Sequence, residues 1–204
     1  MSAPAGPAVE QPTHFEFTSE NLAEAQKIIA RYPAGRQQSA VMPLLDIAQR
    51  QHGWLPEVAI RHVATMLGMP YIRAYEVATF YTMYKLRPTG RWFLQLCRTT
   101  PCWLRGADEL RRAIRDRTGL DSAGMSDDGE FSLLEVECLG ACCNAPVLQV
   151  NDDFYEDLDY ESCVKLLDSL RSGVQPPVRP AIGRKYSEPV TGRKTLLAQM
   201  GEGD

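Results

Sequence analysis

Apolar positions follow a helical period through the first ninety residues. Leu22, Ala25, Ile28, Ile29 and Tyr32 share one face, with Thr18 or Ser19 available as N-cap and Pro33 as a stop. Ser39 can cap a second helix whose inward face is Val41, Leu44, Leu45 and Ala48; Pro43 falls in its first turn, where a missing N–H costs little. A third helix starts at Pro56, with the stripe Ile60, Val63, Ala64 and Leu67, and ends at Gly68. A fourth follows Pro70, with Tyr71, Ala74, Val77, Ala78 and Tyr81 on one side. Four short amphipathic helices with short links predict a small bundle.

The period changes after Pro88-Thr89-Gly90. Trp92–Leu96 and Phe131–Val136 read as apolar strands, Pro146–Val150 as a third, and Phe154-Tyr155 as a short fourth beyond a turn at Asn151–Asp153. Residues 103–117 predict a helix with Leu104, Ala107, Leu110 and Ile114 inward, and residues 160–171 another with Cys163, Leu166, Leu167 and Leu170 inward. The β-α-β-β-α order predicts a sheet with helices packed on it. The fold class is therefore α+β. Residues 1–14 form a flexible lead, 15–88 the helical bundle, 89–172 the α/β domain and 173–204 an extended basic tail. Prolines 176, 177, 180 and 189 and a weak echo, Gly183-Arg184-Lys185 and Gly192-Arg193-Lys194, mark the tail as an arm that orders only against a partner.

Composition sharpens this picture. The 204 residues are 44% hydrophobic and 24% charged, ordinary for a globular protein. The net charge of −4 conceals a split. Residues 1–90 carry 8 basic and 7 acidic groups, 91–170 carry 8 and 16, and 171–204 carry 6 and 3. Gly68-Met69-Pro70 could join two helices as a DNA-binding helix-turn-helix, but the second helix offers only Arg73 early on. Phosphate neutralisation needs clustered Lys or Arg, so no nucleic-acid partner is expected. The first fifteen residues lack a charged stretch followed by an apolar one, and no apolar run approaches the roughly 20 residues of a membrane helix. A cytoplasmic protein without membrane insertion is expected.

Six cysteines, all beyond residue 96, then stand out. In a reducing compartment, clustered thiols point to metal or redox chemistry rather than disulfides. Cys97 and Cys102 (C-x4-C) are followed after 35 residues by Cys138 and Cys142 (C-x3-C). Each pair falls just after a predicted strand, which puts four thiols in two loops at one sheet edge. Soft sets of four thiolates select zinc or iron–sulfur. The C-x4-C pair has a precedent in plant-type [2Fe–2S] ligation, while structural zinc favours C-x2-C knuckles, and a redox thiol remains a third chemistry. Gly140 and Ala141 would let backbone N–H groups approach the sulfurs. Cys143 follows a candidate ligand directly and reads as a non-ligand, and Cys163 reads as a small core residue. His14, His52 and His62 lie far in sequence from the thiols and are not assigned as ligands. Residues 118–164 hold twelve Asp or Glu and no Lys or Arg. That is either a solvated face or a field that lowers a cluster's potential and guides docking onto a basic partner.

The stretch CRTTPCWLRGADEL, followed by VECLGACCNAPVLQVNDDFYEDLD, closely resembles the thioredoxin-like [2Fe–2S] ferredoxin subunit of NADH:quinone oxidoreductase, respiratory complex I. HGWLPEVAIRHVATMLGMP and YEVATFYTMY are similar to the same family's helical domain, and the likeness spans roughly residues 15–175. The resemblance implies a thioredoxin-like α/β domain and one [2Fe–2S] cluster held by Cys97, Cys102, Cys138 and Cys142. It further implies that FMN and NADH are bound only by a partner, the flavin-bearing subunit, which passes an electron into the cluster. Neighbouring peripheral-arm subunits would complete the surroundings, at the cytoplasmic side of a bacterial inner membrane. No catalytic acid or base is implied. The alternatives are the equivalent diaphorase subunit of a soluble NAD-linked formate dehydrogenase or hydrogenase, and a structural zinc module for assembly.

Overall fold

The computed structural model describes residues 9–192 and divides into two units at Thr89–Gly90. In the first unit, α1 (Ser19–Ile29) starts where Thr18 accepts the Asn21 N–H. The α2 helix (Val41–His52) is entered through a 3-10 turn at Gln37–Ala40. Ser39 lies inside that turn and Ala40 occupies the cap position without a side-chain bond, so Ser39 is not the cap the sequence suggested. The α3 helix (Glu57–Met66) begins one residue after Pro56, and the lead supplies what proline lacks: Gln11 Oε1 accepts the Glu57 N–H at 3.1 Å. The α4 helix (Tyr71–Phe80) ends one residue before Tyr81, which turns to extended backbone and is exposed rather than inward.

Leu44, Leu45, Leu55 and Ile60 are fully buried at the centre of this bundle. Gln51 ties the entry segment to it, accepting from Thr18 N and Asn21 Nδ2 and donating to the Glu16 carbonyl. His62 stacks edge-on with Phe15 and Phe17.

The second unit is a five-stranded mixed sheet in the order β2-β3-β1-β4-β5. Its strands are β1 (Trp92–Cys97), β2 (Gly124–Met125), β3 (Phe131–Val136), β4 (Leu148–Val150) and β5 (Asp153–Tyr155). β1 and β3 are parallel, while β4 runs antiparallel to β1 and β5 to β4. The two-residue β2 carries no periodicity and escapes a sequence reading. β4 starts only at Leu148, two residues after Pro146, which has no N–H to give a ladder.

The helix expected over 103–117 is two helices, α5 (Thr100–Leu104) and α6 (Ala107–Thr118). Gly106 breaks them apart at φ 106°, in the left-handed region glycine tolerates. The break turns Leu104 out to 70% exposure, against the inward position predicted for it. The α7 helix (Tyr160–Arg171) opens with an Asp159–Ser162 capping box. The α6 and α7 helices pack Leu110, Ile114, Leu167 and Leu170 against Leu94, Leu96, Phe131 and Leu148 of the sheet.

The tail also differs from expectation through residue 192. Tyr155 Oη donates to the Pro176 carbonyl, the Ala181 N–H donates to Glu156 O, and Arg184 forms a buried ion pair with Asp157. This stretch orders against its own domain because a two-pronged guanidinium finds a carboxylate there. The second copy of the basic echo, at Arg193-Lys194, lies outside the described residues, as do the first eight residues of the lead.

Gly90 opens the sheet unit at a close approach. Its N–H donates to Ser132 Oγ at 2.7 Å, and a Cβ there would lie 2.7 Å from the Phe131 carbonyl carbon and 2.9 Å from Gly129 O. Because those neighbours are backbone, Gly90→Ala should destabilise the sheet unit by about 1–3 kcal/mol, the usual range for overpacking. Chemical denaturation followed by far-ultraviolet circular dichroism checks it, and unchanged stability would contradict this close approach.

Candidate functional site

Parallel pairing places the thiols. Cys97 is the last residue of β1 and pairs in register with Val136, the last residue of β3. Parallel strands end at the same edge, so the loops after β1 and β3 emerge side by side. The first loop leads through Thr99 into α5, which carries Cys102. The second carries Cys138 and then enters a 3-10 turn at Cys142–Asn144. Cys97 and Cys102 are buried, Cys142 is half-buried and Cys138 is exposed. Ala107, Ala145 and Val147 pack with the two buried thiols as a small apolar layer, backed by Leu139 and Phe154.

Among the described residues, no three His, Cys, Asp or Glu side chains form a group that could hold a metal ion as they stand. The four thiols instead stand as two pairs. Cys97 and Cys102 are hydrogen-bonded, and Cys138 Sγ lies 3.3 Å from Cys142 Sγ. Each of the first pair also interacts electrostatically with the second. Backbone N–H groups converge on the sulfurs: Gly140 donates to Cys138 Sγ at 3.4 Å, Thr99 and Leu139 reach Cys97, and Val147 reaches Cys102. Gly140 has φ +86°, which favours glycine, and nothing lies within 4 Å of where a Cβ would be.

Within each pair one thiol gives up its proton more easily than the other. Burial pushes Cys97 up, but bonds from the Thr99 hydroxyl, the Thr99 and Leu139 backbone and Cys102 outweigh it, and the net shift is downward. Cys102 is pushed up to about 12 by burial and by its bond to Cys97. The Gly140 N–H, then the Cys142 thiol, draw Cys138 down, and Cys142 is raised because it shares its proton with Cys138. This donor set, two thiols from each loop with N–H groups aimed at the sulfurs, fits a soft metal centre that the four thiolates would hold as terminal ligands. Binding must displace the thiol protons, so loading weakens as pH falls.

The structure sets the four predicted thiols in two neighbouring pairs and leaves the other two cysteines outside them. Cys143 is exposed. Cys163 is fully buried on α7, and burial pushes its thiol up to about 12. Sequence reasoning missed Thr99, whose hydroxyl lies 3.3 Å from Cys97 Sγ, because a lone threonine carries no pattern. It also missed Asn144 and Arg184, which fix the second loop; the Gly-Arg-Lys echo marked Arg184 without giving it a place. The acidic stretch is not bare, since Asp121, Asp128, Glu135 and Asp157 each meet an arginine.

A mixed sheet with helices packed on it, presenting paired thiols from two adjacent loops, defines the class of small thiol-bearing α+β modules. Residues 25–171 match the family model of the thioredoxin-like [2Fe–2S] ferredoxins, and the chain belongs to that family. It is 53% identical over 161 residues to an NADH-quinone oxidoreductase subunit of Rickettsia bellii (strain RML369-C), covering 78% of this chain and 96% of that protein. It is 46% identical over 186 residues to "NADH dehydrogenase [ubiquinone] flavoprotein 2, mitochondrial" of Dictyostelium discoideum, covering 91% of this chain and 75% of that one. Among solved structures, an NAD+-reducing [NiFe]-hydrogenase in the H2-reduced state aligns with a TM-score of 0.56 at 18% identity, over 66% of this chain and 22% of that chain. At that identity the likeness speaks for the fold alone.

The proton asymmetry is directly testable. In metal-free protein, Cys138 should become reactive toward iodoacetamide at lower pH than Cys142. Peptide mass mapping after a pH series reads the order, and Cys142 reacting first would contradict the hydrogen bonding described above.

Proposed function

We propose that the chain is the thioredoxin-like electron-transfer component of an NADH–quinone oxidoreductase, with Cys97, Cys102, Cys138 and Cys142 as the ligands of one [2Fe–2S] cluster. The observation that carries this reading is the 53% identity to a subunit of that enzyme along 96% of the relative's length. When bound, the cluster supplies a one-electron acceptor site. The chain's own residues do the rest. The two loops hold two thiol pairs in place, and N–H groups from Thr99, Leu139, Gly140 and Val147 offset thiolate charge. The apolar layer of Ala107, Ala145, Val147 and Phe154 limits water around the inner pair.

The chain works as one subunit of a multi-subunit dehydrogenase. Its immediate partner is the flavin-bearing, NADH-binding subunit, with other peripheral-arm subunits around it; NADH, FMN and quinone bind elsewhere in the complex. Trp103 and Leu104, exposed directly after Cys102, give the partner an apolar footing beside the thiols. Among the described residues no helix is long and apolar enough to cross a membrane. The reading places the chain at the cytoplasmic face of a bacterial inner membrane through its partners. The domain over 89–172 serves electron transfer, and the bundle over 15–88 precedes it as a separate packed unit. The hydrogenase likeness shares only the fold and favours no second reading.

Cys→Ser substitutions test the ligand set. The electron paramagnetic resonance spectrum of the dithionite-reduced protein should be lost or altered in Cys97→Ser, Cys102→Ser, Cys138→Ser and Cys142→Ser. It should persist in Cys143→Ser and Cys163→Ser. A native spectrum in Cys97→Ser together with its loss in Cys143→Ser would overturn the assignment. Mixing native chain with the flavin-bearing subunit and NADH should produce the same reduced signal, and no reduction at any NADH concentration would count against the partner.

A further inference from the structure

The loop that carries Cys142 is held from outside by the tail. Arg184 is nearly buried, its side chain 8% exposed and that of Asp157 5%. Every nitrogen of its guanidinium donates. Nε donates to Asp157 Oδ2 and Nη2 to Asp157 Oδ1, both at 2.7 Å. Nη2 also donates to the Cys143 carbonyl at 2.6 Å, and Nη1 to the Glu188 carbonyl at 2.9 Å. The Asp157 N–H donates in turn to the Asn144 carbonyl at 2.7 Å, from a left-handed backbone at φ 54°. Asn144, itself 1% exposed, donates from Nδ2 to the Tyr186 carbonyl at 2.7 Å. The carbonyls of the two residues after Cys142 are thus clamped, one by Arg184 and the next by Asp157, and the two clamps are joined by a bidentate ion pair.

We propose that Arg184 is a positioning residue for the cluster: through Asp157 it locks the Cys142–Asn144 turn so that the Cys142 thiol is held ready for its metal. The proposal rests on the cluster reading above. Its chemistry is that of an outer partner that fixes a ligand's orientation, where loss typically costs 10–100-fold in metal affinity. The planar fork holds more than a lysine could: a point charge can meet one partner, but it cannot span both carboxylate oxygens and a carbonyl in one geometry. The pair leaves little net charge near the thiols, so the role is geometric rather than a tuning by charge. It also gives the first copy of the Gly-Arg-Lys echo a task inside the chain.

The test uses the full chain with Arg184→Met and Arg184→Lys. Arg171→Met serves as control, because it breaks an ion pair with Asp128 whose side chains are both 48% exposed. Amide hydrogen exchange of metal-free protein reads the turn itself: residues 142–145 should exchange faster in Arg184→Met, with the strands β1 and β3 unchanged. In iron-loaded protein, release of iron to a chelator should be about 10-fold faster in Arg184→Met. It should be partly restored in Arg184→Lys and unchanged in Arg171→Met. Unchanged exchange at 142–145 would overturn the positioning role whatever metal the thiols hold. Faster exchange with unchanged iron release would overturn its bearing on the cluster. If Arg184→Met melts the whole domain, Arg184→Lys decides on the same two readings. A native chain that binds no iron would instead sink the cluster reading, while the exchange result still judges the clamp.

Discussion

Parallel pairing of β1 with β3 is the constraint on which the site depends. Were the two strands antiparallel, Cys97 and Cys138 would leave from opposite edges, and no loop of this length would bring them together. Parallel neighbours need a crossover, and α5 with α6 supplies it. The crossover is therefore not a spacer. Its first turn carries Cys102 back toward Cys97, and its second helix covers the sheet with Leu110 and Ile114. Burial of that face fixes the register, and the register fixes where the thiols emerge.

The chemistry at the edge follows from how differently the two pairs are housed. Cys97 and Cys102 lie under an apolar layer, where a thiolate is costly unless N–H and O–H donors meet it. Thr99, Leu139 and Val147 provide those donors. Cys138 and Cys142 stand nearer to solvent and rely on a left-handed glycine and a short 3-10 turn. A turn of three residues cannot hold itself rigid, and it borrows rigidity from Asp157, Tyr186 and Arg184. The tail is thereby part of the ferredoxin unit through residue 192, rather than an arm waiting for a partner.

Much of this was legible in the residues. Helical and strand periods located the bundle and the main strands, and C-x4-C with C-x3-C after two apolar runs located the four thiols. What escaped has physical reasons. A two-residue strand such as β2 has no period to detect. Gly106 is visible in the sequence, yet a single glycine inside a helical pattern does not announce a full break, so periodicity alone puts Leu104 inward. Ser39 lost its capping role to a 3-10 entry that no local rule marks. Arg184 and Asp157 lie 27 residues apart, and pairing at that range is decided by the fold and not by spacing.

The acidic middle also reads differently once its partners are seen. Arginines just after β1, on α6 and α7, and in the tail neutralise Glu135, Asp121, Asp128 and Asp157, so the surface field is weaker than the bare count of carboxylates implied. On the proposed reading, four thiols in two pairs hold one binuclear iron–sulfur centre. Metal and sulfide analysis of the purified native chain tests it most directly. The expected result is two irons and two acid-labile sulfides per chain in a red-brown protein; a colourless protein with one zinc and no sulfide would contradict the cluster assignment.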